Sequence, residues 1–159
     1  MSADKTPRER ESVVATNRHA FRDYEILETV EAGMILVGTE IKSLRRQGAS
    51  LNDSFARVDG GVPVLYHLHI NPYEQGNRAN VETTRPRTLL LHRKEIDRLV
   101  GKMARTRLSL VPLKLYFKHG FAKVELALAR GKQEYEKRDT IRERESRREM
   151  DRAKRRDRA

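Results

Sequence analysis

Residues 109–128, SLVPLKLYFKHGFAKVELAL, decide the fold, because apolar and polar side chains alternate along most of this stretch. The alternation in its first half predicts a strand with one inward apolar face, made of Val111, Leu113, Leu115 and Phe117. In the second half the alternating apolar positions are Val124, Leu126 and Leu128. His119-Gly120, between the two halves, is typical of a tight turn. The stretch therefore predicts a β-hairpin with one buried face.

Shorter runs closer to the N-terminus also predict strands. Residues 24–29 and 34–37 are two such runs, and Ala32-Gly33 between them predicts a hairpin turn. After a glycine-rich turn signal at 59–61, the alternation over residues 64–70 predicts a further strand.

Two segments predict helices that pack on this sheet. The first has apolar side chains at i, i+3, i+4 and i+7, namely Ile96, Leu99, Val100 and Met103. The second spans residues 39–46, with Ile41 and Leu44 facing inward and Thr39 as N-cap. Its outer face carries three cations and no acid among them: Lys42, Arg45 and Arg46. Five or six short strands with one or two helices predict a small antiparallel β-barrel of the OB-fold type.

Charge is unevenly distributed along the chain. The 159 residues include 34 Lys and Arg against 23 Asp and Glu, which gives a formal net charge of +11. Residues 130–159 carry +5 of this charge and few apolar side chains, so they cannot form a core. We therefore predict a flexible arm over residues 1–16, a barrel over 17–130 and a basic tail over 131–159.

Composition excludes or disfavours several function classes. Without cysteine, the chain has no disulfide and no thiolate metal site. It shows no secretory signal and no run of about 18 apolar residues, so we expect a cytoplasmic protein without membrane contact. Motifs such as HExxH, GxSxG or a glycine-rich phosphate loop are missing, so we expect neither catalytic residues nor a cofactor. His67 and His69 would share a strand face, but spacing supplies no third metal ligand, which leaves a histidine-dependent nuclease as the weakest alternative.

A net charge of +11 predicts a polyanionic partner, and nucleic acid is the commonest polyanion in a cytoplasm. Lys114, Tyr116 and Lys118 place an aromatic ring between two cations on one strand face. A base would pack on this ring while the ammonium groups bind phosphates. The alternative is an ordinary solvated strand face. The cationic face of the helix predicted over 39–46 adds a second surface for RNA.

The tail has the charge pattern of a marginal helix. Glu143 and Asp151 each precede an arginine by four residues, which supports a helix, whereas Arg144 and Arg148 repel each other at the same spacing. We expect the helix to become stable when a polyanion neutralises its arginine surplus. Arginine outnumbers lysine here and binds phosphates and bases well, which favours an RNA-binding arm over a merely solubilising tail.

Several longer motifs follow one another along the chain. They are YEILETVEAG over 24–33, GTEIKSLR over 38–45, HINPY over 69–73, RTLLLH over 87–92, LVPL over 110–113 and GK at 131–132. With their surroundings they extend over about residues 12–158, and they resemble the SsrA-binding protein (small protein B) family. The resemblance implies an OB-fold barrel with flanking helices and a protein that performs no covalent chemistry.

The resemblance also implies a function and partners. Family members bind the tRNA-like domain of transfer-messenger RNA (tmRNA, or SsrA RNA) and enhance its charging by alanyl-tRNA synthetase. With elongation factor Tu (EF-Tu) and GTP they accompany it to stalled ribosomes. The tail would then enter the small-subunit decoding centre and the empty mRNA channel, so that the ribosome is rescued and the incomplete protein is tagged. We expect a monomer that binds one RNA. The alternative is a general OB-fold RNA-binding or ribosomal protein.

Site residues follow from the matching positions. For RNA they are Asn17, Arg18, Tyr24, Glu31, Lys42, Arg45, Leu90, His92, Lys123, Gly131 and Lys132, to which the strand pattern adds Lys114, Tyr116 and Lys118. We expect Glu31 to be a buried or backbone-bonded carboxylate that shapes the RNA-binding surface, or else only to anchor a turn. Leu90 lies between Leu89 and Leu91 on the opposite strand face, where it is expected to contact an unstacked base.

The resemblance extends to ribosome-binding positions in the tail, which are Tyr135, Glu136, Lys137, Arg138 and Met150. Tyr135 stands in a polar segment, and its ring would stack on a small-subunit RNA base in the decoding centre. The chain departs from the family pattern at Gln133, where Lys is common, and at Glu136, where Asp is common. One cation is therefore lost, and the acid is kept.

Overall fold

The structure, a computed structural model, describes residues 12–157 apart from the side chains of Asn77, Glu134, Tyr135 and Glu136. The strands are β1 (Ser12–Thr16), β2 (Tyr24–Met34), β3 (Ala49–Ser50), β4 (Phe55–Asp59), β5 (Val62–Tyr66), β6 (His69–Ile70), β7 (Arg87–Leu90), β8 (Ser109–Lys118) and β9 (Phe121–Gly131). The helices are α1 (Ala20–Asp23), α2 (Gly38–Arg46), α3 (Arg93–Arg105) and α4 (Glu134–Asp157), with a 3₁₀ helix over Glu74–Ala79.

Six strands close into a barrel in the order β8-β4-β5-β7-β2-β9, and β9 pairs again with β8. All pairings in this ring are antiparallel, which confirms the predicted OB-fold-like barrel. β3 and β6 form a separate two-stranded sheet. Residues 12–16, which we expected in the flexible arm, form β1 instead, because the edge of β8 beyond β4 is available for pairing.

The hairpin predicted over 109–128 is present as β8 and β9. His119 and Gly120 both have positive φ, at 52° and 79°, and form a two-residue turn of the kind that matches strand twist. The alternating apolar side chains of β9 are at most 2% exposed: Val124, Leu126 and Leu128. Burial of such a side chain contributes about 1.5–3 kcal/mol, so this alternation supplies a large part of the barrel's stability.

A bulge in β8 divides its apolar residues between two clusters. The pairing of β8 with β9 shifts between Pro112 and Lys114, so side chains on the two sides of the shift change faces. Leu115 and Phe117 face the barrel core, while Val111 and Leu113 pack on an outer cluster with α1. The prediction of one inward face for all four residues was therefore wrong.

β2 runs unbroken through the predicted hairpin turn at Ala32-Gly33. Ala32 is fully buried, and Gly33 pairs with Lys123 of β9 and with Leu90 of β7. At this point β2 is held from both sides, so the glycine marks a close approach of strands inside the barrel wall rather than a chain reversal. The predicted turn was wrong because an Ala-Gly pair in the sequence carries no information about the two strands, β7 and β9, that pair with β2 at this point.

The strand predicted over residues 64–70 is interrupted at His67. This residue has a φ of 62° and separates β5 from β6, which reverses the alternation of buried side chains, so that Leu65 and Leu68 are both buried. His67 and His69 therefore do not share the face of one strand. Within residues 12–157, no group of three His, Asp or Glu side chains is arranged to hold a metal ion.

The two predicted helices are confirmed as α2 and α3. Ile96 and Leu99 of α3 are buried against the barrel. α2 starts at Gly38, one residue before the prediction, and Thr39 is not its N-cap. Instead, the Glu40 carboxylate accepts a hydrogen bond from the Val37 N–H at 3.1 Å. This carboxylate satisfies one of the amide groups that a helix start leaves unpaired.

The tail forms α4, a helix of 24 residues. Residues 141–157 are exposed throughout, which agrees with the expectation that the tail contributes no core. Among the described residues, none of the helices is both long and apolar enough to span a membrane.

Candidate RNA interface

A buried ion network fixes α2 against the barrel. Nε and Nη2 of Arg87 donate to the Glu40 Oε2 at 2.9 Å and 2.6 Å, and Arg85 donates to the other carboxylate oxygen. Arg87 also donates to the carbonyl oxygens of Leu68 and Thr83. The network therefore sets the position of the cationic helix relative to β7, and sequence reasoning missed it because Glu40 and Arg87 are 47 residues apart.

Glu40 and Arg87, the two most deeply buried members of this network, both remain charged. Burial alone raises the pKa of Glu40, but hydrogen bonds from Arg85 and Arg87 outweigh burial and hold that pKa below its ordinary value. Burial lowers the pKa of Arg87, and the Glu40 carboxylate opposes this change. Arg87 is fully buried and pairs with Glu40, so the loss of Glu40 would leave an uncompensated charge inside the protein. Glu40 itself would keep Arg85 as a partner if Arg87 were lost.

The predicted cationic face of α2 is exposed and lies over two aromatic rings. The Arg45 guanidinium is 4.4 Å from the ring centroid of Phe117. The Lys42 ammonium and the Arg46 guanidinium lie 5.7 Å and 5.6 Å from the ring centroid of Tyr73. These contacts restrict the three cations while leaving them accessible to an anion.

A second charged surface lies on the outer side of β2, β8 and β9. Tyr116 is paired with Lys123, and its hydroxyl donates to the Glu31 carboxylate. The Lys118 ammonium is 3.5 Å from the same carboxylate oxygen, Oε2. The Lys114 ammonium lies 4.9 Å from the Tyr116 ring centroid and 3.5 Å from Glu125.

Tyr116 does not offer its ring to a base. Lys114, Tyr116 and Lys118 share one face as predicted, but Tyr116 is only 2% exposed. The prediction of an accessible stacking ring was therefore wrong, because the ring is covered and its hydroxyl is directed to Glu31. The two lysines remain partly exposed.

Glu31 is neither buried nor bonded to the backbone, contrary to expectation. Its side chain is 38% exposed, and its partners in the described part of the chain are the Tyr116 hydroxyl and the Lys118 ammonium. The Tyr116 hydrogen bond, aided by the charges of Lys118 and Lys123, lowers the pKa of Glu31 against a smaller opposing effect of burial. Glu31 is thus an ionised acceptor in a cationic surrounding, and it lies in the middle of β2, away from any turn.

Leu90 is exposed, and its strand-mate Leu89 is buried, so the predicted alternation is confirmed. The Leu90 side chain lies against Gly33 of β2. Lys123, on β9, pairs with Gly33 from the opposite side of β2. Within residues 12–157, no carboxylate forms an ion pair with Lys123. His92 immediately precedes α3, where its carbonyl accepts the N–H groups of Glu95 and Ile96, and its side chain is exposed.

The predicted RNA contacts at 17–24 fall into different environments. Asn17 is 7% exposed, and its side-chain amide donates to the Pro112 carbonyl at 2.9 Å. Its side chain therefore supports the β8 bulge rather than facing an RNA. Tyr24 is half-buried against the outer cluster, whereas Arg18 is exposed.

The start of the tail is fastened to α1. Gly131 ends β9 opposite Tyr24, and the Lys132 ammonium donates to the Phe21 carbonyl at 3.1 Å and to the Thr140 hydroxyl at 2.7 Å. The Lys137 ammonium lies 3.9 Å from Asp23. Arg138 and Met150 are exposed, while the side chains of Tyr135 and Glu136 lie outside the described part of the chain.

A groove elsewhere on the barrel has the wrong charge for RNA. It measures about 960 Å³ and lies between α1, β4 and the start of β8. Arg22 and Arg57 line it, but so do three carboxylates, those of Asp23, Asp53 and Asp59. A polyanion would gain little from this balance, so the cationic outer face of the barrel remains the better candidate.

Comparisons with known proteins found a matching family and similar chains. The model of the family described as SmpB protein matches residues 14–156. An SsrA-binding protein of Pelotomaculum thermopropionicum is 58% identical over 89% of this chain and 92% of its own length. One from Desulforudis audaxviator is 57% identical over 93% of this chain and 97% of its own. A solved structure described as "tmRNA-SmpB: a journey to the center of the bacterial ribosome" is 50% identical, with a TM-score of 0.65, and the match covers 82% of this chain and 96% of that one.

Proposed function

The chain belongs to the SmpB protein family, a family of noncatalytic RNA-binding proteins, and from this premise we propose that it binds tmRNA in trans-translation. The relatives are named for binding SsrA RNA, and the similar solved structure joins an SmpB protein with tmRNA in a ribosome. The proposed RNA face consists of exposed residues around Gly33, with Glu31, Leu90 and Lys123 at its centre.

The charge arrangement on this face is the observation that carries the proposal. Lys118 and Lys123 flank an ionised Glu31, and Lys123 has no ion pair within the described residues. Phosphates would bind the two ammonium groups, and the carboxylate would accept hydrogen bonds from base or ribose donors instead of repelling them. The cations on α2, held in place by the Glu40–Arg87 pair, would add phosphate contacts beside this face.

The finer steps of the proposal concern delivery and rescue. Bound to the tRNA-like domain, the protein enhances alanylation by alanyl-tRNA synthetase and travels with EF-Tu and GTP to a stalled ribosome. In this proposal a barrel over residues 17–130 binds tmRNA, and a tail over residues 131–159 binds the ribosome. An exposed helix with a surplus of arginine supports this division. Its positive charge is accessible to ribosomal RNA, and its exposed residues 141–157 do not contribute to the barrel core.

In the ribosome, we place the tail in the empty mRNA channel. The start of α4 would lie at the decoding centre, with these residues in contact: Tyr135, Glu136, Lys137 and Arg138. Met150 is 61% exposed and would make an apolar contact further along the channel. Lys132 acts within the protein in this proposal, because its ammonium joins α1 to α4.

Binding of a tRNA-like-domain transcript, with bulk tRNA as competitor at fixed salt, tests the proposal. We expect bulk tRNA to compete weakly and Lys123→Ala to lower affinity and reduce the salt slope by about one. Lys154→Ala is the matched control, since it removes an exposed lysine of α4 and leaves the barrel face intact. Equal competition by bulk tRNA would instead favour a general RNA-binding protein.

A further inference from the structure

Three large aliphatic side chains are exposed on the barrel wall, two of them on the neighbouring strands β5 and β7 and one just after the end of β2. Ile35 is 50% exposed, Val62 is 45% exposed and Leu90 is 56% exposed. In a chain with 36% charged residues, such a group calls for an explanation, because exposed apolar patches commonly mark interaction sites.

Strand pairing brings the three side chains together. Val64 of β5 pairs with Thr88 of β7 in an antiparallel register. Val62 precedes Val64 by two residues and Leu90 follows Thr88 by two, so this register places Val62 opposite Leu90 on the same outer face. Ile35, just after β2, donates its N–H to the Thr88 carbonyl at 3.0 Å, so it flanks β7 from the other side. The patch therefore has Leu90 in the middle.

Gly33 connects this patch to the cationic face. A Cβ at position 33 would lie 3.3 Å from the Cβ of Leu90 and 3.5 Å from its Cδ1, so the leucine occupies the space above the glycine. Lys123 pairs with Gly33 from β9. Neighbouring strands are about 4.8 Å apart, which puts the backbones of Leu90 and Lys123 within about 10 Å of each other.

We propose that Ile35, Val62 and Leu90 form one apolar platform on which an unpaired nucleotide of the bound RNA packs, while Lys123 holds an adjacent phosphate. The proposal rests on the proposed function and extends the expected Leu90 contact to two residues on other strands. RNA is the occupant that fits, because an apolar surface beside a lysine that has no ion pair among the described residues matches a nucleotide with an extruded base. Gly33 is a positioning residue, since its missing side chain lets Leu90 lie flat.

Val62→Ser and Ile35→Ser test the platform in the full-length protein with the tRNA-like-domain transcript. We expect each to weaken binding about three- to tenfold, equivalent to roughly 0.6–1.4 kcal/mol. The salt slope should stay unchanged, because no charge is removed. Val100→Ser is the matched control: Val100 is 42% exposed on α3 and belongs to neither surface. If Val62→Ser behaved like Val100→Ser, the platform would be disproved.

A variant at Gly33 tests the positioning role. Gly33→Ala should weaken binding in the wild-type protein and cost little in a Leu90→Gly background, because the Cβ and Cδ1 atoms of Leu90 that the new Cβ would meet are both absent there. Equal costs in both backgrounds would overturn this role, and the serine variants remain informative if Gly33→Ala fails to fold.

The tests separate this inference from the proposed function. Loss of transcript binding by the wild-type protein would refute the function itself, whereas normal wild-type binding with unaffected serine variants would refute only the platform. Reduced self-association of Val62→Ser at unchanged RNA affinity, measured by sedimentation, would assign the patch to a second copy of the chain and also overturn the proposal.

Discussion

The barrel and α4 show two different ways of holding a structure. Barrel strands have partners on both sides and enclose side chains such as Leu65 and Leu115 that are fully buried. Residues 141–157 of α4 are all exposed, so their helical state rests on backbone hydrogen bonds rather than on packing against a core. The barrel is therefore stabilised by its own packed core, whereas the exposed helix is suited to gain stability by binding a partner.

Deletion of residues 131–159 provides the strongest test of this separation. We expect the barrel to unfold at nearly the same temperature and to keep most of its affinity for the transcript, because the described contacts of the tail lie at its start, around Lys132 and Lys137. Tagging on stalled ribosomes should be abolished in a reconstituted translation system. A truncated protein that still supports tagging would contradict the proposed role of the tail.

Removal of one partner from the buried Glu40–Arg87 pair should produce the next largest effect. We expect it to lower the free energy of unfolding of the barrel, which contains this pair. Glu40→Ala leaves the fully buried Arg87 guanidinium without its carboxylate partner, which we expect to cost about 3–5 kcal/mol of unfolding free energy. Arg93→Ala is the control, since its partner Asp97 is also exposed and such pairs contribute about 0–1 kcal/mol. Urea denaturation measures both, and equal losses would refute the importance of burial.

The sequence predicted the parts of the fold that depend on local pattern. The hairpin at His119-Gly120, the alternation in β9 and the two flanking helices all arise from side-chain periods within one segment. The bulge in β8 and the unbroken path of β2 past Gly33 depend on partner strands distant in sequence. A single local pattern carries no information about those partners.

The candidate site shows the same division. Exposure of Leu90 followed from its alternation with Leu89. Burial of Tyr116 and the bond from its hydroxyl to Glu31 depend instead on β8 and β2, which flank β9 and bring together residues 85 positions apart in sequence. The RNA-binding roles of these residues remain predictions from family resemblance and charge.

Tyr116→Phe tests whether this hydroxyl prepares Glu31 for RNA. A hydrogen bond to a charged group contributes about 1.5–3 kcal/mol, and we expect its loss to raise the pKa of Glu31 and weaken RNA binding by up to about tenfold. Because Glu31 then takes up its proton at higher pH, binding should begin to respond to acidification at higher pH than in the wild type. Carboxyl-carbon NMR follows the titration.

Tyr66→Phe makes the same chemical change at a hydroxyl that donates to Asp59, outside the proposed RNA face. It should leave RNA affinity and the pKa of Glu31 unchanged. If both variants weakened RNA binding equally, the effect of Tyr116 would be one of general stability rather than of Glu31.

The smallest predicted effects arise in α4, and their signs distinguish a self-supporting helix from one completed by RNA. Glu143→Gln removes the favourable i, i+4 spacing of opposite charges with Arg147 and should destabilise the free helix by about 0.2–0.5 kcal/mol. Arg144→Gln removes the like-charge spacing with Arg148 and should stabilise the helix. With an RNA bound, the order reverses, because the first variant adds net positive charge and the second removes it. Amide hydrogen exchange of α4, with and without RNA, measures this reversal, and an order that stayed the same would mean that the helix gains nothing from a polyanion.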